Sequence, residues 1–350
     1  MAETAERQAR VERLLEAART LADPETAPGQ ALRARLLETT GLSPAGIERG
    51  LAHALEIQPS TGDLQALLAS TPEAPCAHVL LSSNVFVAAL RAIAIGVAAS
   101  PRVSVRASRR DPALAESLHR LTPKSFELVG SLSPAPGDHF WSYGADTTLA
   151  ELRRSLPLGV WFHPHGAGFG AVAVDTANWG RDDARAIALD TALFDQQGCL
   201  SPRVVCVVGT EHQARIVAGQ LAQELQALEG ELPPGPKSAA EQAEARRDRD
   251  AAAYAFELFD AGSGWVGCSS ELVVPPGRRN LHVLATTNAT ATLAPFTAHL
   301  TCVATNGARL SEELRRSFPG ARVVALGQMQ CPPLDGPVDR RHDARGELIT

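Results

Sequence analysis

Apolar positions set the first elements. In residues 5–22, Val11, Leu14, Leu15, Ala18 and Leu21 recur at helical spacing and define one face. A second helix around 29–40 stops at Gly41. Ser43-Pro44 then supplies an N-cap and a first-turn proline for a third helix carrying Ile47, Leu51 and Leu55. Residues 1–70 are thus expected to form a helical segment. After Pro75 the pattern shortens. HVLLSS (78–83), VSVRAS (103–108), FELVGSL (126–132), FWSYG (140–144), GVWFH (159–163) and GAVAV (170–174) read as strands. Helices are expected after the first of these, after Asp111-Pro112, and over 148–156, the last with a Thr148–Glu151 capping box. A helix over 181–197 groups Ala184, Ile187, Ala188, Thr191 and Phe194 and ends at Gly198. Strand 203–208 and an amphipathic helix over 211–229 follow. Residues 231–250 are Pro-rich and then charged, a solvated loop running into an exposed helix. LHVLATTNATATLAPF, LTCVATNG and RVVALG complete a second sheet region, and the polar tail DRRHDARGELIT is expected to fray. No internal repeat is visible. Strands alternating with helices predict α/β architecture with parallel sheets.

Composition narrows the function classes. The 350 residues leave room for two domains, with 45% apolar and 21% charged residues. A net charge of −6 argues against a nucleic-acid surface. The N-terminal stretch MAETAERQARVERLLEAART is charged and helical, unlike a signal peptide. The longest apolar run, 86–99, carries Arg91 and is too short to span a bilayer. The expected location is therefore the cytoplasm. The six cysteines, Cys76, Cys199, Cys206, Cys268, Cys302 and Cys331, are scattered with no C-x-x-C pair or finger spacing. In a reducing compartment they read as reduced thiols, with no metal expected.

One of them stands apart by position. Cys199 follows a helix-ending glycine and precedes a β-rich run, where a side chain can face a cleft. By composition alone it is a packing residue; in an environment that favours the thiolate it is a nucleophile. The stretch FDQQGCLSPRVVCVVG resembles the catalytic-cysteine segment of the aldehyde dehydrogenase superfamily, and most closely that of the LuxC-like acyl-CoA reductases. The core of the likeness is Asp195, Gln196, Gln197, Cys199, Ser201 and Pro202. SSNVFVAALRAI, VSVRASRRDP, YGADTTLAELRRSLP and VVALGQMQCPPLDG agree in order and spacing, so the resemblance covers about 76–336.

The resemblance implies an aldehyde-dehydrogenase-like α/β fold: a helical N-terminal segment (1–70), a Rossmann-like cofactor-binding domain (71–185), an α/β catalytic-cysteine domain (186–335) and a tail (336–350). It assigns Cys199 as nucleophile and Asn84, with the Cys199 N–H, as oxyanion donors. VSVRAS matches the strand that holds the adenosine ribose. Arg106 stands there for the usual lysine and Ala107 for proline, and Ser108, Arg109 and Arg110 follow. Guanidinium groups suit a 2′-phosphate, which favours NADPH, with NAD possible. Tyr143 and Gly144 match a turn near the nicotinamide and pyrophosphate, and the helix starting near Thr148 is expected to direct its N-terminus at phosphate.

The glutamate that activates water in hydrolytic relatives is absent; its region holds His163, Pro164, His165 and Gly166. His165 is the candidate acid/base, with a cleft-edge histidine as the bland alternative. A metal on His163 and His165 lacks a third ligand. The motif that steadies the nicotinamide ribose in ordinary aldehyde dehydrogenases is not visible. The implied activity is NADPH-dependent reduction of an acyl-CoA or acyl-protein thioester to an aldehyde through a cysteine thioester. Two alternatives remain open at this level: a CoA-acylating aldehyde dehydrogenase, or a degenerate homologue serving as a binding subunit. The resemblance further implies a homo-oligomer and an acyl-transferring protein partner.

Overall fold

The structure is a computed structural model and describes residues 2–350. The chain divides into two compact units. The first comprises the residues through Thr40 together with Gly50–Ala167 and Cys331–Thr350, and the second comprises Gly41–Arg49 and Gly168–Gln330.

The first unit opens with helices α1 (Ala2–Ala22), α2 (Ala27–Thr39), α3 (Pro44–His53, which the division crosses) and α4 (Thr61–Ser70). The alternating part follows: β1 (Ala77–Leu80), α5 (Ala88–Ala99), β2 (Val103–Arg106), α6 (Ala113–Leu121), β3 (Glu127–Leu128), β4 (His139–Tyr143), α7 (Asp146–Ser155) and β5 (Trp161–His165). The strands lie in the order β5-β4-β1-β2-β3, all parallel. The order reverses at β1, which creates a topological switch point between β1 and β4. In open α/β sheets ligands bind outside the carboxyl ends of strands at such a point.

Packing explains the arrangement. The predicted face of α1 is buried throughout. The α5 helix is buried from Leu90 to Ala99, and its Gly96 rests on the sheet: a Cβ there would lie 3.0 Å from Val79 Cγ2 and 3.1 Å from Val103 Cγ1. Arg7 ties α1 to α5 and to the end of α4, donating to the Ala98, Leu68 and Thr71 carbonyls at 2.8, 3.1 and 2.7 Å.

Two local expectations for this unit fail. Helix α7 starts at Asp146, with Ala145 as an N-cap that makes no side-chain bond, so Thr148 and Glu151 lie inside the helix and form no capping box. The Asp146 carboxylate instead accepts the Ala167 N–H at 2.8 Å. The tail does not fray. Glu347 and Leu348 pair antiparallel with Phe162 and Trp161, and Ile349 is buried with Phe140, Leu149, Leu156, Val160 and Phe162. Apolar burial of one residue, with an Arg153–Glu347 ion pair beside it, holds the polar segment down.

The second unit contains β6 (Phe169–Asp175), α8 (Arg181–Ala192), β7 (Pro202–Val208), α9 (Glu211–Leu228), α10 (Ala239–Ala255), β8 (Glu257–Ala261), β9 (Gly264–Cys268), β10 (Leu281–Thr286), α11 (Ala289–Leu293), β11 (Leu300–Thr305), α12 (Ala308–Ser317) and β12 (Arg322–Ala325). Its sheet runs β12-β11-β6-β7-β10-β9-β8, parallel except for the β8–β9 hairpin. The strand β6 is hydrogen-bonded between β11 and β7, so residues 168–185 group with the cysteine-bearing sheet and the division falls at 167/168. No disulfide joins the cysteines among the described residues. Cys206 and Cys302 are core thiols whose burial raises their pKa, that of Cys206 to about 12.

Candidate functional site

Cys199 is carried by a left-handed loop. The helix expected over 181–197 ends at Ala192, and the chain turns through Leu193–Gln196 with Phe194, Asp195 and Gln196 at φ of 56°, 49° and 60°. Left-handed backbone costs a non-glycine residue about 1–2 kcal/mol, so three in succession require external support. That support comes from the motif itself. Asp195 Oδ1 accepts from Arg279 Nε and Nη2 at 2.9 and 2.7 Å, and Oδ2 accepts from the Gly235 N–H at 2.9 Å. The fully buried Gln196 donates to the Pro202 and Asn280 carbonyls at 2.6 and 2.7 Å, while its Oε1 accepts the Asn280 N–H at 2.8 Å. Arg278 and Arg279 are themselves left-handed, at φ of 77° and 66°. Two strained segments therefore hold each other.

The far side of the loop is equally fixed. Ser201 is buried, and Gln330 Nε2 donates at 3.0 Å to both Ser201 Oγ and the Asp190 carbonyl. The Asp190 carboxylate accepts the Gly327 and Met329 N–H groups at 2.8 and 3.1 Å. Burial raises its pKa to about 7, against the opposing pull of those bonds. The Thr301 hydroxyl donates to the Cys199 carbonyl. A Cβ at Gly170 would lie 2.3 Å from the Leu200 carbonyl oxygen, so this backbone passage needs glycine. Cys199 itself remains half-buried and Gln197 exposed. Sequence reasoning missed Arg279, Asn280, Asp190 and Thr301, because partners distant in sequence leave no spacing signal. Gln330 lies in the GQMQC stretch, where sequence alone gives it no role.

The remaining predicted residues collect at one edge of the first sheet. Leu80, Arg106, Tyr143 and His165 are the last residues of β1, β2, β4 and β5. Asn84, just past β1, is exposed and makes no side-chain hydrogen bond among the described residues. Arg106, Arg109 and Arg110 have no carboxylate partner among the described residues, and Ser108 Oγ accepts the Arg110 N–H at 3.2 Å. The Gly144 N–H donates to the His165 carbonyl at 3.2 Å. The His165 ring stacks on Tyr143 at 4.6 Å between centroids. Both His165 nitrogens, Tyr143 Oη and Ser142 Oγ are buried without a partner. Burial lowers the His165 pKa to about 4 although Asp339 opposes it, and burial raises that of the Tyr143 hydroxyl. At neutral pH His165 is therefore uncharged. It can form a hydrogen bond but has no spare proton to hand over as an imidazolium. His163 is a packing residue: its Nε2 meets His139 Nδ1 at 2.8 Å and its ring lies on Trp141 at 4.4 Å.

A dinucleotide fits this edge in part. The switch point, the three guanidinium groups lacking acidic partners and the unsatisfied Tyr143 and His165 atoms suit a polar, phosphate-bearing ligand. The expected phosphate site at the start of α7 does not, because Asp146 puts a carboxylate in that first turn.

Two α/β units, one with a dinucleotide-type strand order and one presenting a clamped cysteine, define an aldehyde-dehydrogenase-type oxidoreductase. The sequence model of the family described as "Acyl-CoA reductase (LuxC)" matches residues 62–331, and the chain belongs to that family. It is thus an enzyme acting on aldehyde or acyl groups, of a family that implies an acyl thioester substrate and a nicotinamide cofactor. Among solved structures, it is similar to an NAD-dependent benzaldehyde dehydrogenase from Corynebacterium glutamicum, with 11% identity, TM-score 0.69, and coverage of 94% of this chain and 81% of that one. It is also similar to a putative methylmalonate-semialdehyde dehydrogenase from Sinorhizobium meliloti 1021 complexed with NAD, with 12% identity, TM-score 0.69, and 96% and 79% coverage. Lactaldehyde dehydrogenase from Escherichia coli aligns with TM-score 0.64 at 12% identity, covering 92% and 78%. These likenesses establish the fold. No curated protein matches the chain. No described helix is long and apolar enough to cross a membrane.

Proposed function

We propose that the protein reduces an acyl thioester to an aldehyde with NADPH, through a thioester on Cys199. The observation that carries this reading is the Cys199 loop, whose strained backbone is fixed from both sides while Cys199 itself stays only half-buried. Such pre-organisation serves a nucleophile and gives nothing to a packing residue. The Cys199 sulfur attacks the acyl carbonyl carbon. A new carbon–sulfur bond forms, the bond to the carrier sulfur breaks, and the carrier thiolate takes up the proton that Cys199 gave up. Asn84 and the Cys199 N–H, in the roles the family resemblance assigns, donate to the oxygen that becomes negative. A bound nicotinamide would supply hydride to the acyl carbon; the bond from that carbon to the Cys199 sulfur then breaks, releasing the aldehyde and returning the cysteine thiolate.

Arg106, Ser108 and Arg109 hold a 2′-phosphate, and Tyr143 and Gly144 line the approach of the ring. His165, uncharged, orients an oxygen by hydrogen bonding. No glutamate stands at residues 163–166 to activate water, so the acyl-enzyme survives until it is reduced. A homo-oligomer and an acyl-transferring partner complete the reading.

The test is single-turnover labelling. Radiolabelled acyl-CoA from acetyl to palmitoyl, without cofactor, should leave a hydroxylamine-labile adduct on the peptide containing Cys199, and NADPH should discharge it as aldehyde. An adduct that persists in Cys199→Ala, or no adduct with any thioester, overturns the proposal.

A further inference from the structure

At the opposite, amino-terminal edge of the first sheet, three side chains of metal-ligating type converge. Ala77 pairs with His139 in the parallel β1–β4 ladder, which brings Cys76 opposite Asp138; the His139 N–H donates to the Cys76 carbonyl at 3.1 Å. His78 lies two residues after Cys76, so both side chains leave the same face. One ligand atom from each of Cys76, His78 and Asp138 lies within 4.8 Å of the others. His78 and Asp138 are buried, and Cys76 is half-exposed.

A plain histidine–aspartate pair accounts for only part of this. His78 Nε2 and Asp138 Oδ2 are 3.1 Å apart, and that oxygen also accepts the Ala135 N–H at 2.9 Å. The other imidazole nitrogen, Nδ1, is buried with no hydrogen-bond partner, and the ring stacks on Phe140 at 6.3 Å between centroids. Leaving a buried polar atom unmet costs about 1–3 kcal/mol.

We propose that Cys76, His78 and Asp138 form a site for a divalent transition metal, with zinc the best match to its ligands. Thiolate, imidazole and carboxylate are the three donor types that zinc takes at 2.0–2.3 Å in general, and one thiolate plus one carboxylate balance its charge. Cys76 loses its thiol proton to solvent as the bond to the metal forms. The half-exposed Cys76 leaves a fourth position to water. The cation would cross-link β1 to the start of β4, far along the strands from Tyr143 and His165, so its role is to fix the sheet and not to take part in the reaction. The sequence hides it because Asp138 arrives from a neighbouring strand and no finger spacing results.

The full chain carrying Cys199→Ser, stripped with chelator and desalted, is titrated with Co²⁺ and read by visible and near-ultraviolet absorption. One equivalent should bind with a thiolate-to-cobalt charge-transfer band, and Zn²⁺ should displace it and raise the melting temperature. Cys76→Ser should abolish the band. His78→Gln and Asp138→Asn, which test the site even if the cysteine variant folds poorly, should weaken binding more than about a hundredfold, beyond the effect of losing an outer-shell partner. Cys331→Ser should leave it intact. Absence of a thiolate band, or a band that survives Cys76→Ser, overturns the proposal. Neither result bears on Cys199 chemistry.

Discussion

The Cys199 loop and the carboxyl edge of the first sheet answer opposite physical demands. Around Cys199 polar side chains of the motif are spent on partners distant in sequence: Asp195 on Arg279, Gln196 on Asn280, Ser201 on Gln330. At the sheet edge, Arg106 and Arg109 lack carboxylate partners among the described residues, and His165 and Tyr143 keep buried polar atoms with no partner. A nucleophile must hold its geometry before substrate arrives, so its surroundings are satisfied in advance. A surface for a charged ligand keeps donors in reserve. Under the proposed function, unmet hydrogen-bonding capacity falls at the cofactor edge and over-determined backbone strain at the nucleophile.

The largest effect expected from breaking this contrast lies in the clamp. Arg279→Ala strips a buried partner from Asp195, the pair being 4% and 16% exposed at their side chains. Loss of one member of a buried pair costs about 3–5 kcal/mol. Chemical denaturation should register that loss, and Cys199 acylation should slow in the protein that remains folded. Asn84→Ala should do the reverse. Its side chain is exposed, so stability should change by less than about 0.5 kcal/mol. Single-turnover acyl transfer should fall by about 10²–10³, the measured cost of losing an oxyanion donor elsewhere. Equal stability losses in the two variants would erase the distinction.

A smaller effect separates cofactors. Arg106→Ala should raise the KM for NADPH by about ten- to a hundredfold, since a charge-assisted hydrogen bond is worth about 1.5–3 kcal/mol, while leaving the KM for NADH and the melting temperature unchanged. An equal rise for both cofactors would remove Arg106 from the 2′-phosphate.

The smallest effects are the pH dependences, and they run in opposite directions. Burial lowers the His165 pKa from 6.5 to about 4, so its contribution to stability is full above pH 6.5 and is lost as pH falls through 4. Burial raises that of Asp190 from 3.8 to about 7, so its contribution is full below pH 3.8 and is lost as pH rises through 7. Melting curves should show His165→Phe flattening the acid-side loss and Asp190→Asn flattening the loss between pH 4 and 7. Unaltered profiles would mean that neither group is as buried as the structure has it.

Local pattern alone determined much of this protein. The buried face of α1, the parallel strands of both sheets and the identity of the cysteine loop follow from residues that are neighbours in sequence, because periodicity and short motifs are properties of a few consecutive side chains. Tertiary structure decided the rest. Helix-favouring apolar spacing runs on through Phe194, yet the backbone turns left-handed there, because Arg279 and Asn280, more than eighty residues away, repay the strain. The β8–β9 hairpin, signalled only by the Ala-Gly-Ser-Gly turn, went unread beside a charged helix. The polar tail returns to β5 because a single isoleucine finds an apolar cluster. Cys76, His78 and Asp138 meet only through strand register. Apart from the hairpin, each of these depends on a contact between residues distant in sequence, and the free energy of such a contact belongs to the folded surroundings and not to any one stretch of chain.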